Sequence, residues 1–124
     1  MEASMGRALA IVLGVTLGFG IPAQANTGVE RVDTRTEFVS IIDGRQLSYP
    51  GVRLTVGAEG DITGRALGRQ IVGEWRWEDG YFCRDLFWGK RDLGSNCQEV
   101  TLRGQKLRFQ SDRGTGDHAD LTIR

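Results

Sequence analysis

The chain has 124 residues, enough for one small domain but too few for a nucleotide domain joined to a substrate domain. Sixteen basic residues balance sixteen acidic ones, so the net charge gives no reason to expect nucleic acid or an anionic lipid as partner. One histidine and two cysteines cannot supply a clustered ligand set, so neither a metal nor a cofactor is expected.

Arg7 precedes an apolar run over residues 8–21 (ALAIVLGVTLGFGI), followed by the small-x-small pattern Ala23-Gln24-Ala25. This predicts a signal peptide over 1–25 and a protein delivered to the periplasm or secreted. The run is too short and glycine-rich for a comfortable bilayer span, so no stable span is expected once the leader is cleaved.

Residues 26–124 read as one domain: a lead-in, helix and connector over 26–50, then an antiparallel meander over 51–124. The stretch 26–33 is read as an exposed entry strand or a loose lead-in. Thr34-Arg35-Thr36-Glu37 is a capping box, in which the threonine hydroxyl accepts from the Glu37 amide and the Glu37 carboxylate reaches back. Phe38, Ile41 and Ile42 follow as one apolar stripe, and Gly44 ends the helix. So short a helix does not persist alone, so it must pack on the sheet. Residues 45–50 form a connector with Leu47 and Tyr49 facing inward.

From Gly51 onward the pattern alternates. A loop over Ala58-Glu59-Gly60 places Ile62 opposite Val56, and a turn at Leu67-Gly68 places Ile62 opposite Gly73 and Gly64 opposite Ile71. Asp79-Gly80 between two alternating runs signals a type I′ hairpin, because both central residues of that turn need positive φ. Counting outward pairs Trp77 with Phe82, Arg76 with Cys83, Trp75 with Arg84, Glu74 with Asp85, Gly73 with Leu86 and Ile71 with Trp88. One face then holds Trp75, Trp77, Phe82, Leu86 and Trp88, with Arg84 among them, and is expected to form the core or to line a ligand site. Arg84 is either an anion clamp at a pocket mouth or a cation stacked on Trp75; the stacked arrangement is the expected one.

Residues 89–96 (GKRDLGSN) are read as a polar loop. A turn at Gly104-Gln105 sets Leu102 against Leu107 and Val100 against Phe109. Parity puts Cys97 and Cys83 on the same polar face, where two cysteines of an exported chain are expected to form a disulfide. Residues 111–117 are a loop before a last strand carrying Ala119, Leu121 and Ile123. The expected fold is mainly β: an up-and-down barrel or curled sheet of about seven strands with one short N-terminal helix.

Catalytic patterns are weak. His118 shares a face with Asp120, but no nucleophile elbow accompanies it, so a solvated histidine is expected. Residues 114–119 fit Gly-x-Gly-x-x-Ala, yet they lead into a strand rather than a helix. Glu74, Glu78 and Asp85 alternate with Arg76 and read as a surface charge ladder rather than an acid pair.

Gly73-x-Trp75-x-Trp77, Gly80-Tyr81-Phe82-Cys83-Arg84, Cys97-Gln98 and Ser111-Asp112-Arg113-Gly114 together resemble a family of short exported bacterial proteins without an established activity. Some of its members are labelled dihydrodipicolinate reductase, which implies nicotinamide-dependent reduction. The expected export, the missing dinucleotide fingerprint and the short chain all argue against that activity here. The expected role is non-catalytic binding of a small ligand or an envelope protein, with an enzyme as the alternative.

Overall fold

A computed structural model describes residues 28–124; the expected leader lies outside the described residues. The elements are β1 (Val29–Val32), α1 (Arg35–Ile42), β2 (Leu47–Tyr49), β3 (Val52–Val56), β4 (Asp61–Ala66), β5 (Arg69–Glu78), β6 (Tyr81–Trp88), β7 (Arg91–Arg103), β8 (Lys106–Gln110), α2 (Ser111–Gly114) and β9 (His118–Ile123). Strands β2 to β9 pair in chain order, β9 also pairs β2, and the result is a closed antiparallel barrel of eight strands. β1 adds to the edge of β7, where Val32 faces Val100.

The register follows from the turns. Asp79 and Gly80 both take positive φ, 51° and 86°, and the eight pairs of β5 with β6 run without a break from Glu78–Tyr81 to Ile71–Trp88. Val56 faces Ile62, Ile62 faces Gly73, and Leu102 faces Leu107. All of these pairings are the expected ones. Two inward-facing glycines let neighbouring backbones approach closely. A Cβ at Gly64, where φ is 152°, would lie 2.0 Å from the Arg53 carbonyl oxygen, and one at Gly73 would lie 2.2 Å from that of Asp85.

Three expectations need correction. The connector over 45–50 contains β2, whose Leu47 faces Leu54 on one side and Ile123 on the other. Those few pairs are the seam that joins the first and last strands of the barrel. Residues 89–96 are not a loop. A turn at Gly89-Lys90 returns the chain at once, and 91–98 continue pairing with β6 after an irregularity between Leu86 and Phe87. That segment carries little apolar alternation, so backbone pairing alone reveals it as a strand. Residues 111–117 begin with the short turn of α2, in which Asp112 and Arg113 are both left-handed.

Helix α1 closes one end of the barrel. Its capping box forms as expected: the Glu37 amide donates to Thr34 Oγ1 (3.1 Å), and Thr34 N donates to Glu37 Oε1 (3.1 Å). Phe38 is fully buried, with ring centroids 5.1 Å from Trp75, 5.2 Å from Trp77 and 5.1 Å from Phe82. Ile42 and Leu47 continue this plug into the core. The turns after β3 and β5 lie at the helix end. Strand direction puts the Pro50-Gly51, Leu67-Gly68 and Gly89-Lys90 turns at the opposite, open end, together with the segment 111–117.

Inside, the barrel is apolar. Its outward positions include Arg53, Thr55, Thr63, Arg65, Glu74, Arg76 and Glu78, all exposed or half-exposed. A transmembrane barrel shows the reverse pattern, with its apolar band outside. Among the described residues no helix is long and apolar enough to cross a membrane.

Candidate functional site

Beneath the helix plug the aromatic core fills the barrel; below it, toward the open end, the filling is incomplete. A cavity of about 200 Å³ remains there, with Phe82, Phe109, Val56 and Ile62 among its walls and Leu54, Leu86, Ala119 and Leu121 nearer the mouth. The polar side chains on its wall are Arg84 and Gln98. A second hollow of about 570 Å³ shares Leu54, Ala119 and Leu121 with it and extends past Tyr49, Val52 and His118. This slot exists because β2 ends after three residues, so among the described residues the first half of β9 has no partner on that side.

Arg84 is placed here by register. It shares the inward face with Trp75, its cross-strand neighbour, and with Leu86. Its guanidinium does not stack on Trp75, contrary to expectation. Arg35 of α1 takes that position, 5.0 Å from the Trp75 ring, because the helix crosses the same end of the barrel as the indole. Arg84 instead reaches along the wall, and Nη1 donates to the Gly94 carbonyl (2.9 Å). It forms no salt bridge among the described residues. Burial lowers its pKa from the usual arginine range, while the nearby Asp85 carboxylate works weakly the other way. Asp85 itself lies on the outer face, engaged with Ser95 and facing Arg76.

The six expected face residues thus divide. Trp75 and Phe82 are buried in the core, and Trp77 packs on it, its Nε1 donating to the Asp33 carbonyl (3.0 Å). Trp75 Nε1 donates to Gly57 O (2.8 Å). Trp88 sits at the open end, donating to Ala66 O (2.7 Å) beneath the Arg69 guanidinium. Of the six, Phe82, Arg84 and Leu86 line the cavity. Tyr49 has inward parity but is 56% exposed, because the wall ends beside it.

Cys83 and Cys97 are directly opposed and bonded to each other. Cys83 faces outward, as parity required, yet is only 1% exposed. The Cys97-Gln98, Ser111–Gly114 and Gly80–Arg84 stretches meet on this flank. Gln98 Nε2 donates to Ser111 Oγ (3.3 Å), the Asn96 side chain bonds Asp112 at both its amide and its carboxylate, and Arg113 lies 5.5 Å from the Tyr81 ring. Those contacts hold the left-handed pair Asp112-Arg113, a backbone state that costs about 1–2 kcal/mol per residue.

The His118–Asp120 arrangement has another owner. Asp120 accepts two bonds from Arg108, at 2.7 and 3.0 Å, which hold its pKa below the usual carboxylate range. His118 is exposed at the strand start. The glycine-bearing stretch 114–119 runs from the last residue of α2 into β9, so it leads into a strand and not into a helix that could bind a phosphate. The Glu74–Asp85 side chains form the expected outer ladder, with Arg76 paired to Glu78 and Asp85. Among the described residues no cluster of His, Cys, Asp or Glu could hold a metal.

No family model, curated protein or solved structure matches this chain.

Proposed function

We propose that this protein is a non-catalytic binding barrel that takes a small anionic amphiphile, apolar end first, through the open end. The observation that carries the reading is Arg84: a half-buried guanidinium on an apolar wall, whose hydrogen-bond partner among the described residues is a backbone carbonyl. A cation in such a place costs stability unless something compensates it. A carboxylate or phosphate entering from the mouth would supply the missing charge, and an arginine can grip it with two parallel bonds.

Size narrows the ligand. An engineered apolar cavity of about 150 Å³ admits benzene, whereas drug-sized ligands need roughly 300–1,000 Å³. The inner cavity, about 200 Å³, suits a single ring or a short chain. A longer tail has the slot beside Tyr49 and Val52 as its exit.

The test is a thermal-shift series with straight-chain carboxylates of rising length, aromatic carboxylates and their uncharged amides. The carboxylates should raise the melting temperature, the amides should not, and Arg84→Met should abolish the difference. Arg84→Met without ligand should melt at the same temperature or higher, because an apolar side chain replaces an uncompensated charge. Equal response to acids and amides, or an unaltered response in Arg84→Met, overturns the reading.

A further inference from the structure

The formal charge balances over the whole chain, and the fold gathers four cations from two separate turns at one rim. Three turns meet at the open end: Pro50-Gly51, Leu67-Gly68 and Gly89-Lys90. They touch one another. Leu67 N donates to Gly51 O (2.8 Å), Gly89 N donates to Gln70 O (2.8 Å), and a Cβ added at Gly89 would lie 3.4 Å from the Arg69 side chain. The residues in and beside the second and third turns include Arg65, Arg69, Lys90 and Arg91, all exposed; the exposed carboxylates at this end are Asp92, which accepts from the Gly94 amide, and Asp112 and Asp117 of the segment 111–117. None of the four cations is in a salt bridge among the described residues. Arg65, Arg69 and Lys90 line a groove of about 490 Å³ between the two turns.

The tips beside these cations are apolar. Leu67 is 71% exposed and Tyr49 is 56% exposed. Leu67 is the telling residue, because its φ is +49° in a two-residue hairpin turn. Asparagine, aspartate or glycine would hold that backbone with less strain, and any of them would suit the solvent better. The same chain uses the favoured choice at the other end, where Asp79-Gly80 makes the equivalent turn. A leucine that is both strained and wet at one turn, and an aspartate at the other, is a difference folding does not require.

We infer that the open rim is a docking surface for an anionic phospholipid bilayer, with Leu67 and Tyr49 entering the interface and Arg65, Arg69, Lys90 and Arg91 meeting the lipid phosphates. Apolar tips flanked by cations match that interface on both counts: the tips leave water, and the long basic side chains reach the headgroup layer. A groove holding three cations between two turns fits one phosphate group. The mouth of the inner cavity opens at this same end, which would face the bilayer, but the docking does not depend on the cavity being filled.

The experiment is co-sedimentation of the purified protein with vesicles of phosphatidylglycerol and, separately, of phosphatidylcholine, at low and high salt. Binding should be confined to the anionic vesicles and should fall with added salt. Because each cation near an anionic surface is worth about a fivefold change in partition, Arg65→Glu with Arg69→Glu should weaken binding by at least about tenfold. Leu67→Asn should also weaken it several-fold while leaving the melting temperature unchanged or raised, since asparagine tolerates the left-handed turn; that separates docking from folding. Equal binding to both vesicle types, binding indifferent to both variants, or retention of inorganic phosphate alone without vesicle binding overturns the inference. Leu67→Asn leaves the cavity wall untouched, so its thermal response to carboxylates reports separately on ligand binding.

Discussion

Phe38→Ala tests how the barrel is built. Phe38 is one side chain on an eight-residue helix, fully buried and in ring contact with Trp75, Trp77, Phe82 and Phe109. An aromatic side chain of this kind buries about 150–250 Å², worth roughly 4–6 kcal/mol at 25 cal/mol per Å² as an upper bound. Measured truncations of buried phenylalanine cost about 3–5 kcal/mol, cavity included. A small domain has about 5–15 kcal/mol in total, so this one change removes a large share. The helix cannot hold itself, so losing Phe38 should also release α1 from the barrel end. Urea unfolding followed by tryptophan fluorescence and by far-UV circular dichroism reads both effects. The expected result is a loss of about 3–5 kcal/mol with Trp75 and Trp77 emission shifted to the red in the native baseline. Phe38→Leu, which keeps most of the volume, should cost only about 1 kcal/mol and stays measurable if the alanine variant does not fold. A loss below about 1 kcal/mol for Phe38→Ala, with unchanged native emission, would refute the helix-as-plug account.

Gly64→Ala should prevent the native barrel from forming, because the added carbon meets backbone atoms of Arg53 and Leu54, whereas Gly104→Ala meets nothing within 4 Å and should cost only its turn strain; soluble yield and circular dichroism compare them. Reducing the Cys83–Cys97 bond should lower unfolding free energy by roughly 3 kcal/mol, the loop-entropy value for a separation near 14 residues, as read by denaturation with and without reductant. Asp120 has a depressed folded-state pKa, so its stabilising bond to Arg108 is fully present above the unfolded value near pH 4 and is lost as pH falls through the folded value. Wild type should therefore lose more stability than Asp120→Asn as pH drops below about 4, and identical acid limbs would count against that bond.

How far the sequence reached can be seen element by element. The capping box at Thr34, the type I′ signal at Asp79-Gly80 and the alternation across 69–78 and 81–88 are local signals, and each produced the structure it announces. Chained together they carried the face assignment around most of the barrel and put the two cysteines on one face; the pairing of β6 with β7 set them directly opposite each other. β2 escaped because it is three residues long and its pairing with β9 depends on a partner about 75 positions away. The strand over 91–96 escaped because polar residues pair by backbone without leaving a periodic trace.

The site divides the same way. Parity alone put Arg84 on the inner face, since side chains alternate strictly along a strand. Whether it would stack on Trp75 depended on α1, whose Arg35 occupies that ring. The cavity likewise exists because the helix fills one end of a barrel that no element among the described residues fills at the other. The balanced charge count could not reveal the cluster of Arg65, Arg69, Lys90 and Arg91, because residues of two separate turns become neighbours only when those turns are brought together in space. Local bonding and alternation are written along the chain; closure, plugging and the gathering of distant turns are written in the packing.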